Sequence, residues 1–269
     1  MLKQRIITAV ILAPLVIAGI VLLPTALFAL FALLVIVIGA WEWAGMSGLR
    51  GAGALSFVVL LAGLCLLLYL LGPDVQRVAL YLGSLFWVFA LLMVVSFPGT
   101  RHLWSQRWQR ALMGELILVS AWVGLIWLKN LDNTGVLVIL LLVIIWSADI
   151  GAYFTGRAWG KRKLAPAVSP GKSWEGVLGG LLLAILAASC YALWFNLVPE
   201  RTPAHWMGFV ILILVSAAIS VLGDLTESMV KRQQGLKDSG NLLPGHGGIM
   251  DRIDSLVAAV PLFALWFAA

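Results

Sequence analysis

Nine apolar runs, at roughly 6–23, 25–43, 54–71, 78–96, 111–128, 135–156, 176–198, 206–229 and 253–268, take up most of the chain and leave short polar segments between them. A helix crosses the hydrocarbon core of a bilayer with about 20 consecutive apolar residues, and inside that core every backbone N–H and C=O must find its partner within the protein. Runs of this length and number predict an all-α, polytopic integral membrane protein with about nine transmembrane helices. Composition removes the alternative of a soluble fold. Hydrophobic residues make up 62% of the 269 positions and charged residues 11%, where a soluble domain holds roughly half and a quarter. The first run follows Lys3 and Arg5 as a signal peptide would, but no small-residue cleavage site closes it. It leads at once through Leu23-Pro24-Thr25 into the second run, so we read it as a retained helix.

Orientation follows from the basic residues. Of the 18 Lys and Arg, only Arg77, Lys129 and Arg201 fall on one side of the predicted spans, and the other side holds all the rest. The positive-inside rule then puts the N-terminus and the motif loops in the cytoplasm and the C-terminus outside, in agreement with an odd number of spans, and we expect the protein in the cytoplasmic (inner) membrane. The net charge of +6 is thereby explained by topology, and nucleic acid is not an expected partner. Cys65 and Cys190 lie in apolar runs without paired spacing and read as small buried hydrophobes. Trp41, Trp43, Trp104, Trp108, Trp122, Trp127, Trp146, Trp174 and Trp206 mostly lie near predicted span ends, where an interfacial aromatic belt accounts for them. No repeat or long linker divides the chain. We expect one membrane domain over 1–269, with plain helices in 1–130 and the chemistry in 131–269.

That chemistry is concentrated between Gly223 and Ser255. Asp224, Glu227, Ser228 and Lys231 stand at i, i+3, i+4 and i+7, on one face of a helix. Asp224 is expected about one turn from the end of that helix, where an ionised carboxylate needs a partner or a metal. Asp251, Asp254 and Ser255 repeat the arrangement at the start of the last run, so two helix ends offer acids to one space. Acids brought together repel unless a cation joins them, and a hard, oxygen-seeking ion such as Mg²⁺ fits, with Asp224 and Asp251 as its ligands. Each residue also has a plainer reading: Asp251 as a helix cap, Glu227 as the i+4 partner of Lys231, Lys231 and Arg232 as topology charges. Between the two ends run Gly235-Leu236-Lys237-Asp238-Ser239-Gly240 and Pro244-Gly245-His246-Gly247-Gly248. Glycines let backbone N–H groups approach an anion closely, and Lys237 and Arg252 add positive charge.

A second polar block precedes α-helical run seven. Asp149 looks buried in run six, and Arg157, Lys161, Arg162, Lys163, Ser169 and Lys172 lead to Trp174-Glu175-Gly176. The block reads either as a loop over anionic lipid headgroups or as a second wall of a phosphate site, with Glu175 capping the following helix. Gly171-Lys172-Ser173 is not a P-loop, because Pro166 occupies the place of its upstream glycine.

These two blocks together, Ser228-Met-Val-Lys-Arg through Lys237-Asp238 to His246-Gly-Gly-Ile-Met-Asp-Arg-Ile-Asp254, and Ser147-Ala-Asp149 through Ser169-Pro-Gly-Lys172-Ser-Trp-Glu175, resemble the phosphatidate cytidylyltransferase (CDP-diacylglycerol synthase) family. Gly171 and Ser173 depart mildly from its usual Lys and Thr. The resemblance implies transfer of the cytidylyl group of CTP to phosphatidic acid, a membrane lipid, with release of pyrophosphate. It implies a catalytic set of Asp224, Asp251 and Asp254, the last either a third ligand or a substrate-orienting acid. It further implies substrate binding by Lys161, Ser169, Lys172, Ser228, Lys231, Arg232, Lys237, Asp238, His246, Gly247, Gly248 and Arg252. A CTP-dependent lipid kinase would need the same metal and lipid access. An ion-coupled transporter would want acids spread along a path near the bilayer midplane. A CDP-alcohol phosphotransferase is disfavoured, since its DGxxAR motif is absent. A homodimer is compatible with the sequence, which does not fix the oligomeric state.

Overall fold

The computed structural model describes residues 2–268 apart from 199, 201 and 244, with side chains from Val10 onward. Pro244 of the glycine loop, Arg201 and the side chains of Lys3 and Arg5 therefore lie outside the described residues. Among the described residues nine α-helices form: α1 (Leu2–Leu22), α2 (Thr25–Met46), α3 (Ala52–Leu71), α4 (Pro73–Val95), α5 (Arg107–Asp132), α6 (Val136–Trp159), α7 (Trp174–Trp194), α8 (Pro203–Gln233) and α9 (Met250–Trp266). Each apolar run is one helix. Seven of them, α2 to α8, are long and apolar enough to cross a membrane, and the protein is an integral membrane protein. The 17 residues of α9 extend about 26 Å, slightly short of a hydrocarbon core, and α1 contributes an apolar stretch at Val10–Leu22.

Helix α5 is the axis of the bundle. It packs on α2, α3, α4, α6 and α9, and 78% of its apolar window is buried inside the protein against 22% for α3, so α3 presents most of its surface outward. The closest helix pair is α6 with α7. A Cβ on Gly151 would stand 2.6 Å from the Gly179 carbonyl, and one on Gly180 2.5 Å from that of Ala148. Without side chains at these points the two backbones touch, the small-residue packing that joins helices where water supplies no driving force.

Several residues read as boundary or loop features turn out to be structural. Trp43, Trp104 and Trp122 are almost fully buried, so the belt does not account for them. The indole N–H of Trp43 donates to the Arg110 carbonyl at 2.8 Å and that of Trp122 to Ala29 at 3.0 Å, which makes their burial affordable. Trp41, Trp108, Trp146 and Trp174 remain exposed. Lys129, counted as a loop charge, is buried, and its ammonium donates to the Ile20 carbonyl in the last turn of α1 at 2.6 Å. Arg110 likewise donates to the Ser47 carbonyl at the end of α2 at 3.0 Å. Cations are favoured at such carbonyl-rich helix ends. Cys65 is buried as expected, but Cys190 lies on the outward face of α7.

Two features shape the site. The segment between α6 and α7 is not helical: β1 (Lys163–Ala165) pairs antiparallel with β2 (Ser169–Ser173), Lys163 opposite Ser173 and Ala165 opposite Ser169. Pro166 occupies the second position of the connecting turn, which the Val168 N–H closes on the Ala165 carbonyl at 3.1 Å. This hairpin corrects the all-α expectation. Helix α8 has 31 residues, about 46 Å and well beyond a hydrocarbon core of about 30 Å. Its charged end runs on to Gln233, so Asp224 lies about two and a half turns from the end rather than one.

Candidate active site

The charged end of α8 meets the hairpin on one side and the start of α9 on the other. From β2, the Lys172 ammonium reaches Asp224 Oδ2 at 3.0 Å, with about a quarter and a third of the two side chains accessible. The Ser228 hydroxyl, one turn further along α8, donates to Asp224 Oδ1 at 3.3 Å. The hairpin is held in place by its own base. Ser173 caps α7 by accepting from the Gly176 N–H at 3.2 Å. Glu175, expected to be that cap, instead accepts from the N–H groups of Lys161 and Arg162, each at 3.1 Å. A serine hydroxyl reaches the amide three residues on, which leaves the longer Glu175 free to turn back to the loop.

Two turns beyond Asp224, the buried Lys231 ammonium bridges Glu227 Oε2 and Asp251 Oδ1, each at 2.6 Å. The first is the i+4 pair that the spacing predicts; the second ties α8 to α9. The helices touch closely here because Gly223 has no side chain: a Cβ would stand 2.5 Å from the Asp254 carbonyl. Asp254 is buried, lies in the field of Asp224, Lys172 and Lys231, and its Oδ1 accepts from the Ser255 N–H at 2.6 Å. Asp149, expected to be buried, is accessible on α6 and lies in the field of Lys172, Asp224 and Arg252.

The glycine loop closes around carboxylates of the protein itself. Asp251 Oδ2 accepts from the Ser239 N–H at 2.9 Å and the Gly248 N–H at 2.8 Å, and it lies 2.9 Å from the Ser239 hydroxyl oxygen, whose single proton it shares with Glu42. Glu42, buried near the end of α2, accepts from Ile249 N–H at 3.1 Å, Met250 N–H at 2.7 Å and the Ser239 hydroxyl at 3.0 Å. Glu42 thus caps α9 from outside that helix. Gly240 and Gly248 leave it room: a Cβ on either would stand 2.5 or 2.3 Å from a Glu42 carboxylate oxygen. Gly247, at φ 82°, packs against Asp251 in the same way. Arg252 turns back on the loop and donates to the His246 carbonyl at 3.2 and 2.8 Å. Arg232 donates to the Leu236 carbonyl at 3.2 Å. Lys161, Lys237 and Asp238 are exposed on loops, and Ser169 is half-buried at the start of β2.

Glu42 is the residue that reading the sequence missed, in the half of the chain expected to be plain. The signal was a lone carboxylate inside a 22-residue apolar helix, an expensive placement that calls for partners.

The donor set bears on the metal expected here. The two acids that seemed to demand a cation each hold an ammonium group, Lys172 at Asp224 and Lys231 at Asp251. Among the described residues no three His, Cys, Asp or Glu side chains form a ready cluster. A carboxylate offers about four lone-pair directions. Asp224 has two in use and is partly accessible. Asp251 has its Oδ2 filled, with capacity left only at Oδ1, beside Lys231. Asp224 therefore fits a cation directly, and Asp251 through one oxygen.

Residues 3–269 match the model of the cytidylyltransferase family. The chain is 48% identical to the phosphatidate cytidylyltransferase of Pseudomonas aeruginosa, across 100% of this chain and 98% of that protein. It is 41% identical to the Haemophilus influenzae protein of that name, across 99% of each. The phosphatidate cytidylyltransferase of Bacillus subtilis is 41% identical over 55% of this chain and 56% of its own length. A family match from end to end, which takes in the α6 to α9 segment that gathers the acids and lysines, leads to one conclusion: this chain belongs to the cytidylyltransferase family.

Proposed function

We propose that the protein transfers the cytidylyl group of CTP to phosphatidic acid, giving CDP-diacylglycerol and pyrophosphate. A phosphate oxygen of the lipid attacks the α-phosphorus of CTP, a new P–O bond forms, and the bond to the β-phosphate oxygen breaks. No protein nucleophile is required, because phosphoryl-type transfer depends mainly on positioning and charge neutralisation. The observation that carries the reading is the convergence of Lys172, Asp224, Lys231 and Asp251 at one end of the α8 and α9 pair, in a chain matched throughout by relatives of that name.

Lys172, accessible beside Asp224, offers its ammonium to a substrate phosphate, and Arg252, Lys161, Arg232 and Lys237 extend the positive surface. Lys231 holds Asp251 and Glu227 in register, and Asp251 with Glu42 sets the shape of the loop that carries His246, Gly247 and Gly248. Asp224, with Asp251 through Oδ1, would hold a hard divalent cation such as Mg²⁺, which when bound supplies further neutralisation of phosphate charge. Asp254 is buried behind them and orients this edge of α9.

In the same reading all nine helices span the inner membrane, with the N-terminus and the site in the cytoplasm and the C-terminus outside, since CTP is cytoplasmic and basic residues favour that side. A transporter is disfavoured because the acids cluster at one helix end. The deciding experiment supplies purified protein in mixed micelles with phosphatidic acid and CTP labelled at either the α- or the γ-phosphate. The α-label is expected in the lipid, with pyrophosphate released. The γ-label in the lipid would mean a kinase, and no transfer of either would overturn the reading.

A further inference from the structure

A cavity of about 430 Å³ opens among α4, the β-hairpin, α7 and α8, within the roughly 300–1,000 Å³ typical of small-molecule sites. Every residue that lines it is apolar. Val168, Leu222 and Leu225 form a buried base, whereas Leu91, Val95 and Trp174 are exposed at its rim. It is therefore an open-mouthed apolar slot and not a packing defect sealed inside the bundle.

Its walls are continuous with the charged site. On α8, Ala218, Val221, Leu222 and Leu225 line the cavity at i, i+3, i+4 and i+7, one helical face. Asp224, Ser228 and Lys231 follow the same spacing on the adjoining face. The hairpin repeats the arrangement: its turn, Leu164 to Val168, lines the cavity, and Lys172 on β2 reaches Asp224 at 3.0 Å. Two separate elements thus each carry an apolar wall beside a polar one. A ligand that touches both walls of both elements must itself have an anionic end joined to an apolar one.

We propose that this cavity receives one acyl chain of the phosphatidate substrate while the lipid phosphate lies at Lys172. The proposal rests on the cytidylyl-transfer reading above and adds to it the place of the tail. An acyl chain arriving from the bilayer leaves one apolar medium for another, so its burial gains little from the hydrophobic effect. The cavity contributes alignment instead: a chain fixed between α4 and α8 holds the phosphate in one orientation for attack.

The experiment uses the full-length protein in detergent micelles and a phosphatidate bearing a diazirine near the end of one acyl chain. Photolysis is expected to label the peptide spanning Ala218 to Leu225, with suppression by unlabelled phosphatidate but not by phosphatidylcholine. Ala218→Leu, which fills the accessible wall, is expected to raise the KM for dipalmitoyl phosphatidate roughly tenfold by overpacking, to leave that for a dihexanoyl analogue nearly unchanged, and to spare the KM for CTP. Equal suppression by both lipids would mean ordinary annular lipid, and labelling confined to other helices would mean a different tail site; either overturns the proposal. So does an Ala218→Leu variant with wild-type kinetics on every chain length. Wild-type protein that forms no CDP-diacylglycerol would instead overturn the parent reading, a separate outcome because labelling reports binding alone.

Discussion

Glu42 on α2 and Ser239 in the glycine loop, 197 positions apart in sequence, are joined by a 3.0 Å hydrogen bond. The same hydroxyl lies 2.9 Å from Asp251, so Ser239 is the pivot between an acid of the first helices and an acid of the last. Since Glu42 also takes the first N–H groups of α9, the loop and the helix start are positioned by a residue that need not touch substrate.

Glu42→Gln tests that role. The amide retains shape but presents one donor and one acceptor where three donors converge, at a cost of about 1–3 kcal/mol for the group left unsatisfied. Turnover is expected to fall roughly tenfold, with the KM for phosphatidic acid nearly unchanged and partial recovery in Glu42→Asp. Equal rates in Glu42→Gln and wild type would remove the residue from the positioning set.

Asp224→Asn and Asp251→Asn should both abolish turnover, on the order of a thousandfold, but they should differ in stability. Asp224 has two donors and is partly accessible, and its variant should unfold at the wild-type temperature. Asp251 anchors Lys231, Ser239 and Gly248, and the amide cannot accept from all of them. A lowered Tm in detergent is therefore expected for Asp251→Asn alone. Near-normal rates in either variant at saturating Mg²⁺ would exclude that acid from the catalytic edge.

The lysines should separate in the same way. Lys231→Met leaves Glu227 and Asp251 buried without their cation, and breaking a buried pair costs about 3–5 kcal/mol, so low yield of folded protein is expected. Lys237 is exposed, and Lys237→Ala should leave folding intact while raising the KM for CTP and sparing that for phosphatidic acid. Unchanged kinetics would leave Lys237 a topology charge.

Much of this was legible in the sequence because the bilayer imposes simple rules. Hydropathy located all nine helices, and the 3.6-residue period put Asp224, Ser228 and Lys231 on one face. What escaped were pairings between distant segments. Nothing near Glu42 in sequence announces α9 as its partner, and the reach of Lys172 to Asp224 depends on a hairpin of eight strand residues whose short strands carry no periodic signal. The glycines were read as room for a phosphate, whereas Gly240 and Gly248 make room for Glu42. Backbone freedom shows in a sequence; the group that uses it does not. The reading of Trp43, Trp104 and Trp122 as a belt failed for a related reason, since position near a span end says nothing about which neighbour covers the ring.

Glu115, on α5, is buried with both carboxylate oxygens lacking a hydrogen-bond partner among the described residues, and nothing assigned to the site involves it. Replacing an unsatisfied buried polar group by an apolar one of similar size removes a penalty of about 1–3 kcal/mol. Glu115→Met should raise the Tm in detergent and leave turnover unchanged. A lowered Tm would show that the acid has a partner in the membrane.

The orientation is tested by thiol chemistry. Lys163 on the hairpin and Asn241 in the glycine loop are both exposed, so a cysteine at either can react without disturbing packing. In a background lacking Cys65 and Cys190, Lys163→Cys and Asn241→Cys are expected to resist an impermeant maleimide in intact cells and to react once the membrane is opened. The charge rule that motivates this survives the loss of Lys129 and Arg110 to structural roles, because one is drawn from each side of the count. Labelling of both cysteines from outside would invert the topology, and with it the access of a cytoplasmic nucleotide to Lys172 and Asp224.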